Sequence, residues 1–258
     1  MRINGSVIGS NVTPSFLSGA TGVWSMQNVE LANRQIIWPT NIVTNGLVLF
    51  LDANNTNSYP GSGTSWYDLS GNGNTGTLTN GPTFNSANGG SIVFDGVDDY
   101  VNCGNNSSIN LTSYITLSTW TKKAYGSSAS VAIDKGRDNY GAWSLLFDVV
   151  ANKVEFHCRI SGTNSSVVSN TSYGNNIWTN ITAVFTGTNL LIYINGKLDN
   201  TTTISGTIGT NAINFSIGKA NDGFNWSGQV ANVLMYNTAL SATNVLQNYN
   251  AIRTRFGV

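Results

Sequence analysis

After residue 45, apolar and polar residues alternate with a period of two along much of the chain, as in Ile115-Thr116-Leu117-Ser118-Thr119-Trp120. This period predicts β-strands that bury one face and expose the other. A continuous apolar run at Leu47–Leu51 predicts a further strand where this region begins. The predicted strands span residues 46–52, 91–101 (two strands about a turn), 115–120, 131–136, 142–150, 153–160, 177–185, 190–198 (two strands about a turn), 213–218 and 228–236.

Three turn signals separate these strands. Asp95-Gly96 lies between two strand-like runs, as do Ala151-Asn152 and Asn195-Gly196. Gly adopts a positive φ without strain, and Asn or Asp can bond its own backbone in a turn. Asn195-Gly196 therefore predicts a β-hairpin, and Asp95-Gly96 predicts a tight acidic turn.

Residues 1–45 lack the strand period and differ in composition from the rest of the chain. Ser25 can cap a helix and Pro39 would end it near Trp38, which predicts a short helix at about 25–37. The apolar stripe of this helix consists of Met26, Val29 and Ile36. We therefore divide the chain into an N-terminal extension (1–45) and a β domain (46–258).

The C-terminal end of the β domain also has helical periodicity. Ser241 can cap the start of this helix. Its apolar side carries Val245, Leu246, Tyr249 and Ile252. The pattern therefore predicts a terminal helix after the last strand.

The composition favours many short strands joined by polar turns. Charged residues make up 9% of the chain, where about 25% is typical, and 37 asparagines supply much of its polarity. Asn, Gly, Ser and Thr favour turns over helices. At 258 residues the chain is long enough for one large all-β domain with a sizeable core.

The charges exclude several classes of partner. The formal net charge is zero and no basic run is interleaved with aromatic residues, so we expect no nucleic acid. The chain has no apolar stretch of 18 residues, so we expect no membrane span. The start, Met1–Ser6, is not followed by the apolar core of a signal peptide. We therefore expect no export by the Sec pathway.

Few residues are suited to catalysis. A glycosidase usually needs two carboxylates at a fixed separation. Glu30 and Glu155 are the only glutamates, and neither belongs to a paired-carboxylate motif. His157 is the only histidine, and its neighbours Phe156 and Cys158 face the other side of the predicted strand. We therefore expect no catalytic residue, no enzymatic activity and no required cofactor.

Cys103 and Cys158 are the only cysteines. A disulfide between them is one interpretation, and two free buried thiols is the favoured one. Cys158 shares a strand face with Val154 and Phe156, which supports its burial.

The run Phe94-Asp95-Gly96-x-x-Asp99-Tyr100-Val101 resembles the signature of the laminin-G-like jelly roll, in the concanavalin-A-like superfamily. The resemblance spans about residues 46–250, because other motifs of the family occur in order. These motifs are Asp68-x-Ser70-Gly71-Asn72-Gly73, Trp178, Tyr193-Ile194-Asn195-Gly196, Gly228 and Tyr236. The resemblance implies an all-β fold, a two-sheet antiparallel jelly-roll sandwich, which here would carry the N-terminal helical extension and the C-terminal helix.

The resemblance also implies one structural calcium ion, which many family members hold. Asp95, Asp98 and Asp99 are the candidate ligands, since Ca²⁺ takes oxygen ligands. The other interpretation is that these side chains only brace the turn. Calcium-bearing relatives commonly place Asp in the last long strand, where this chain has Asn232, and that difference weighs against the ion.

The N-terminal extension resembles the amino-terminal segment of tailed-bacteriophage virion proteins. The matching residues are Met1–Gly9, Gly22–Ser25 and Trp38–Pro39. The ending, Tyr249–Gly257, resembles the close of phage laminin-G-like proteins. These resemblances imply a virion location after synthesis in the host cytoplasm, other virion proteins as partners, and a homo-oligomer on the particle.

Trp24 and Trp38 flank the predicted N-terminal helix and are candidate anchoring residues. Large aromatic side chains commonly dominate protein–protein contacts. The alternative is that both tryptophans pack onto the β domain.

Sugar recognition on a β-sandwich needs an exposed aromatic ring beside polar groups that fix hydroxyls. Loop 221–226 offers Asp222 and Phe224, and loop 134–140 offers Asp138 and Tyr140. These four residues are the candidate glycan ligands. The alternative is that Phe224 or Trp226 fills the end of the core.

Three functions stay open. The leading one is a non-enzymatic structural virion protein of a tailed phage, which displays the jelly roll and attaches to a host-surface glycan. The second is a free carbohydrate-binding lectin or adhesin. The third is a degenerate glycosidase, which the missing carboxylate pair disfavours.

Overall fold

The strands of the protein form two antiparallel sheets that pack face to face. The computed structural model describes residues 41–124, 130–136, 141–148 and 152–258. In chain order the strands are β1 (Leu47–Asp52), β2 (Ser65–Trp66), β3 (Gly76–Thr79), β4 (Thr83–Asn85), β5 (Ser91–Asp95), β6 (Tyr100–Asn102), β7 (Ile115–Lys123), β8 (Ser130–Asp134), β9 (Trp143–Asp148), β10 (Lys153–Ile160), β11 (Thr163–Val168), β12 (Thr179–Phe185), β13 (Asn189–Ile194), β14 (Lys197–Thr203), β15 (Ser216–Ile217) and β16 (Ser227–Tyr236). Short 3-10 helices lie at Ala87–Gly89, Ser107–Ile109 and Arg253–Phe256.

The two sheets contain eight described strands each. Sheet A has the order β14-β13-β12-β7-β16-β5-β4, and β1 also pairs with β16. Sheet B has the order β11-β10-β9-β8-β15-β6-β3-β2. This arrangement confirms the predicted all-β, two-sheet jelly-roll sandwich.

The acidic turn after Asp95 joins the two sheets. Strand β5 pairs with β16 in sheet A, whereas β6 pairs with β3 and β15 in sheet B. Gly96 has a φ of 82°, and a Cβ on it would lie 2.7 Å from the Cβ of Ser227. Only glycine therefore fits this crossing without a shift of the neighbouring strand.

The Asn195-Gly196 hairpin is confirmed. These residues have φ values of 49° and 75° and connect the paired strands β13 and β14. A positive φ at both central positions is the geometry that matches the twist of flanking strands. Strands β9 and β10 also pair as predicted, although residues 149–151 between them lie outside the described residues.

The apolar side chains form two separate cores. The larger core fills the space between the sheets and includes Leu117, Ile133 and Phe156. The second core lies on the other face of sheet A and includes Trp120, Leu234 and Val245. Alternate residues of β7 serve the two cores, because successive side chains on a strand point to opposite faces.

The predicted terminal helix, α1, spans Ala242–Ile252 and covers the second core. The Ser241 hydroxyl accepts the Asn244 N–H at 3.2 Å, which confirms the predicted cap. Val245 and Ile252 are buried against sheet A. Among the described residues, no helix has the length and apolar character required to cross a membrane.

Several sequence predictions concern residues whose structure is not described. The helix at 25–37 and its flanking residues Trp24 and Trp38 fall in the N-terminal extension, outside the described ranges. The candidate glycan ligands Asp138 and Tyr140 also lie outside them. Cys103 and Cys158 are described, and both are free and buried, as predicted.

Candidate functional site

A row of polar side chains crosses the face of sheet B that is turned away from the inter-sheet core. Strand register places its members side by side on seven adjacent strands. The row consists of Thr77, Asn102, Ser216, Asp134, Ser144, His157 and Ser166. Three central members, Asp134, Ser144 and His157, are buried, although they lie on this outer face. Chain segments outside the sheet must therefore cover part of the row.

A cavity of about 380 Å³ opens over one part of this row. Tyr100 and Asn102 of β6, Ser216 of β15 and Asp134 of β8 line it from the sheet. Residues outside the strands also line it, including Asn214, Lys219 and Asn221. We call this cavity the sheet B pocket. Its volume falls within the range of about 300–1,000 Å³ that is usual for ligand pockets.

The polar groups of the sheet B pocket are held by neighbouring backbone. Asp134 Oδ2 accepts the N–H groups of Gly136 at 2.9 Å and Asn221 at 3.3 Å. The Ser216 hydroxyl donates to the Lys219 carbonyl at 2.6 Å. The Lys219 ammonium lies 4.9 Å from the centre of the Tyr100 ring, in a cation–π contact. These contacts fix the orientation of several side chains before any ligand arrives.

A buried lysine supports the wall formed by residues 211–214, which we call the 211–214 wall. Lys135 Nζ donates to Asn105 Oδ1 at 2.6 Å, to Asn211 Oδ1 at 3.2 Å and to the Ile213 carbonyl at 2.5 Å. The Asn211 amide in turn donates to the Lys135 carbonyl at 2.7 Å. Burial lowers the pKa of Lys135 to about 8, and the nearby Asp134 carboxylate partly opposes that shift.

The predicted glycan loop 221–226 borders the sheet B pocket, but through a different residue from those predicted. Asn221 lines the pocket, while Asp222 is exposed and Phe224 is half-buried on the same loop. Trp226 is fully buried and contacts Phe147 edge-on at 4.6 Å. The alternative in which an aromatic residue fills the core is thus confirmed for Trp226. The roles predicted for Asp222 and Phe224 stay predictions.

The three aspartates of the acidic turn come together. One carboxylate oxygen each from Asp95, Asp98 and Asp99 lies within 4.8 Å of the others. Oxygen ligands on opposite sides of Ca²⁺ are about 4.6–5.2 Å apart, so this spacing suits the ion. Burial raises the pKa of the buried Asp99 carboxyl, and the charges of Asp95 and Asp98 raise it further, whereas the Asp95 N–H bond opposes the shift. This crowding of negative charge would favour a bound cation.

The aspartates also brace the turn itself. Asp95 Oδ1 accepts the Val97 N–H at 2.7 Å, and Asp99 Oδ2 accepts the Asp95 N–H at 3.0 Å. Each of these carboxylates keeps a second oxygen for another partner. Bracing and cation binding are therefore compatible, and calcium stays a prediction.

The described carboxylates do not form a glycosidase pair around Glu155. Its cross-strand neighbours are Leu146 and Val168, which are apolar. Asp134, Ser144 and His157 lie on adjacent strands, but Ser144 is in the middle. A Ser-His-Asp triad requires the histidine between the other two, because it must exchange a proton with the serine while the aspartate orients it. The arrangement therefore gives no support to nucleophilic catalysis.

None of the residues that line the sheet B pocket was among the predicted site residues. A signal for them was present in the alternation, since Asn102 follows Val101, Asp134 follows Ile133 and Ser216 precedes Ile217. The apolar partners are all buried in the inter-sheet core. The polar members therefore had to face outward, but their position on three neighbouring strands depends on pairing that the sequence does not show.

The chain belongs to the concanavalin A-like proteins. A family model for laminin-G-like domains, described as the concanavalin A-like lectin/glucanases superfamily, matches residues 95–246, more than half of the chain. The predicted laminin-G-like fold is thereby confirmed. No curated protein sequence matches the chain.

Solved structures with a similar fold include bacterial toxin binding domains. The binding domain of Paraclostridial Mosquitocidal Protein 1 matches with a TM-score of 0.64 and 17% identity, over 81% of this chain and 52% of that one. The botulinum neurotoxin serotype D ligand binding domain, in complex with N-acetylneuraminic acid, matches with a TM-score of 0.65 and 14% identity, over 81% and 51%. The botulinum neurotoxin DC binding domain, in complex with rat synaptotagmin II, matches with a TM-score of 0.63 and 17% identity, over 81% and 52%. The chain thus spans about half the length of these neighbours. Because the sequence identity is low, the structural similarity shows a shared fold alone.

Proposed function

We propose that the protein is a non-enzymatic structural component of a tailed-phage virion and that its jelly roll binds a host-surface glycan in the sheet B pocket. The glycan part rests on the pocket, and the virion part rests on the sequence of the N-terminal extension. Several copies on one particle would raise the avidity of a weak site.

The observation that carries the glycan proposal is the combination of groups in the sheet B pocket. Tyr100 supplies an aromatic ring, and Asn102, Asn214 and Asn221 supply amides that both donate and accept hydrogen bonds. A sugar presents apolar C–H patches together with hydroxyls, and this mixture suits it. The solved neighbours include a ligand binding domain in complex with N-acetylneuraminic acid, which fits a sugar-binding use of this fold.

The position of residue 41 suits display of this pocket. The Gln247 amide of α1 donates to the Asn41 carbonyl at 3.0 Å, and Asn248 Oδ1 accepts the Val43 N–H at 2.8 Å. The N-terminal extension therefore joins the domain beside α1, which covers the outer face of sheet A. The sheet B pocket lies on the opposite side of the sandwich. Attachment on the α1 side of the domain would leave the pocket pointing away from the particle.

A glycan array tests the binding part. We expect the wild-type protein, displayed as multimers, to bind at least one glycan of a bacterial surface. Tyr100→Ala and Asn102→Ala should weaken that binding about tenfold, since each removes a direct contact. Tyr114→Ala is the matched control, because Tyr114 is 49% exposed and does not line the pocket. Equal binding by all four proteins would remove the sheet B pocket from consideration.

The virion part has its own test. Mass spectrometry of purified phage particles should detect the protein, and cryo-electron microscopy should place several copies on the surface. Glycan binding without incorporation into particles would favour a free lectin or adhesin. Release of reducing ends from a bound polysaccharide would contradict the non-enzymatic assignment.

A further inference from the structure

Lys135 is fully buried, and none of its hydrogen-bond acceptors is charged. The acceptors are Asn105 Oδ1, Asn211 Oδ1 and the Ile213 carbonyl. A lysine is almost never fully buried unless its charge has a partner. Here the three N–H donors of the ammonium match three acceptors from two different loops. The arrangement therefore uses the ammonium as a connector between loops.

The loop that Lys135 holds is the 211–214 wall of the sheet B pocket. The side-chain amide of Asn211 makes two hydrogen bonds to Lys135. Its oxygen accepts from Lys135 Nζ, and its nitrogen donates to the Lys135 carbonyl. Asn211 Oδ1 also accepts the Ile213 N–H at 3.1 Å. Ala212, Ile213 and Asn214 then line the pocket. The position of this wall thus depends on the lysine.

We propose that Lys135 is the positioning residue of the sheet B pocket, and that glycan affinity depends on its ammonium holding the 211–214 wall in place. This inference rests on the proposed function of the pocket as a glycan site. Lys135 acts through the wall and is not itself one of the residues that line the pocket.

Deprotonation would break the match between donors and acceptors. A neutral amine has two N–H donors and one lone pair, so one of the three oxygens would face a lone pair. With the pKa of Lys135 lowered to about 8, this change falls in an accessible pH range. Among the described residues, the charged group acting on Lys135 is Asp134, and the loops packed against it contribute the uncharged Asn105, Asn211 and Ile213. Lys219 and Tyr100 also line the pocket, so variants of Lys135 are needed to isolate its effect.

The first experiment needs no ligand. NMR would follow the backbone amide of Ile213 and the side-chain amide of Asn211 between pH 6.5 and pH 9.5. We expect both signals of the wild type to move with an apparent pKa of about 8. In Lys135→Gln, which keeps an N–H donor but does not titrate, they should stay fixed. The Val245 amide is the internal control, because it donates to the Ser241 carbonyl at 2.9 Å in α1, on the outer face of sheet A.

The second experiment measures binding to the same glycan array at pH 7 and at pH 9. The wild type should bind about tenfold more weakly at pH 9, since one charge-assisted hydrogen bond is lost. Lys135→Gln and Lys135→Met should bind weakly and equally at both pH values. Lys197→Met is the matched control, because Lys197 is exposed on β14 of the other sheet, and it should behave as the wild type.

The outcomes separate this inference from the proposed function. Tight, pH-independent binding by folded Lys135→Gln would overturn the positioning role and leave the glycan site standing. Ile213 and Asn211 signals that do not titrate in the wild type would also overturn it. No glycan binding by the wild type at pH 7 would overturn the proposed function, and the NMR titration would still decide whether Lys135 holds the wall.

Discussion

The Arg255 guanidinium and the Asp52 carboxylate lie 2.8 Å apart and join the C-terminal segment to the first strand of sheet A. Arg255 also donates to the carbonyls of Gly90 at 3.1 Å and Asn88 at 3.3 Å. The next residue, Phe256, stacks on Trp120 with ring centres 4.3 Å apart. The end of the chain is therefore part of the packed structure.

Arg255→Ala should lower the free energy of unfolding by about 2–3 kcal/mol, because it removes the guanidinium donor from a largely buried carboxylate and from two backbone carbonyls. Both side chains of the ion pair are less than one-sixth exposed, at 14% and 13%. Urea unfolding would measure the change. The matched control is Arg253→Ala, whose cation–π contact with Tyr249 is 5.9 Å long and should contribute less than about 1 kcal/mol. An equal decrease in the free energy of unfolding of the two variants would show that the Arg255–Asp52 ion pair contributes no more stability than the cation–π contact of Arg253.

A calcium titration tests the acidic turn. Isothermal titration calorimetry of the wild type should show one Ca²⁺ site, since three carboxylate oxygens lie at a suitable spacing. Asp98→Asn should weaken binding about tenfold by removing one charged ligand. Asp222→Asn is the control, because Asp222 is an exposed carboxylate outside the cluster. Absence of binding heat in the wild type would leave turn bracing as the role of these residues.

Stability should respond to pH through Lys135 in a defined direction. Its pKa is lowered from 10.5 to about 8 in the folded state, so between these values the unfolded chain binds more protons. Lys135 therefore increases the free energy of unfolding as pH rises from about 8 to about 10. Burial raises the pKa of Tyr59, Tyr193 and Tyr236, and their contribution falls above about pH 10.

The comparison with Lys135→Met isolates the lysine, because the tyrosines are common to both proteins. The free energy of unfolding of the wild type, measured relative to that of the variant, should increase between pH 8 and pH 10. Glycan affinity is expected to fall over the same range, so stability and binding should change in opposite directions. A constant difference in stability would contradict the lowered pKa.

The sequence was sufficient for most strands because alternation reports which face of a strand is buried. The Asn195-Gly196 hairpin and the Ser241 cap were also local signals, and both appear as predicted. The sheet to which each strand belongs could not be predicted in the same way. The predicted pattern did not reveal that the acidic turn leads from sheet A to sheet B, because that depends on pairing with β16, more than 130 residues later.

The candidate site illustrates the same limit. Asn102, Ser216 and Asp134 form a site only because three strands, distant in sequence, align in register. Lys135 was also beyond prediction, since a lysine is expected at the surface. Trp178, one of the family-motif residues, is half-buried outside the inter-sheet core and contacts Phe256 at 4.6 Å. In each case the environment comes from tertiary contacts that no local pattern contains.

Deletion of residues 1–40 should leave the jelly roll folded and abolish attachment to the particle. The contacts of Asn41 with Gln247 and of Val43 with Asn248 remain in the shortened chain, and both described cores are built from residues after 41. The midpoint of thermal unfolding should therefore stay within a few degrees of the wild-type value, since about 1 kcal/mol corresponds to 2–4 °C in a domain of this size. Attachment should fail because the candidate anchors Trp24 and Trp38 are removed.

The full-length double variant Trp24→Ala and Trp38→Ala is the matched control for loss of the anchor alone. Virion assembly followed by mass spectrometry would measure attachment. An unstable or insoluble truncated protein would place the extension in the folding core, and a folded protein that still joins the particle would place the anchor elsewhere.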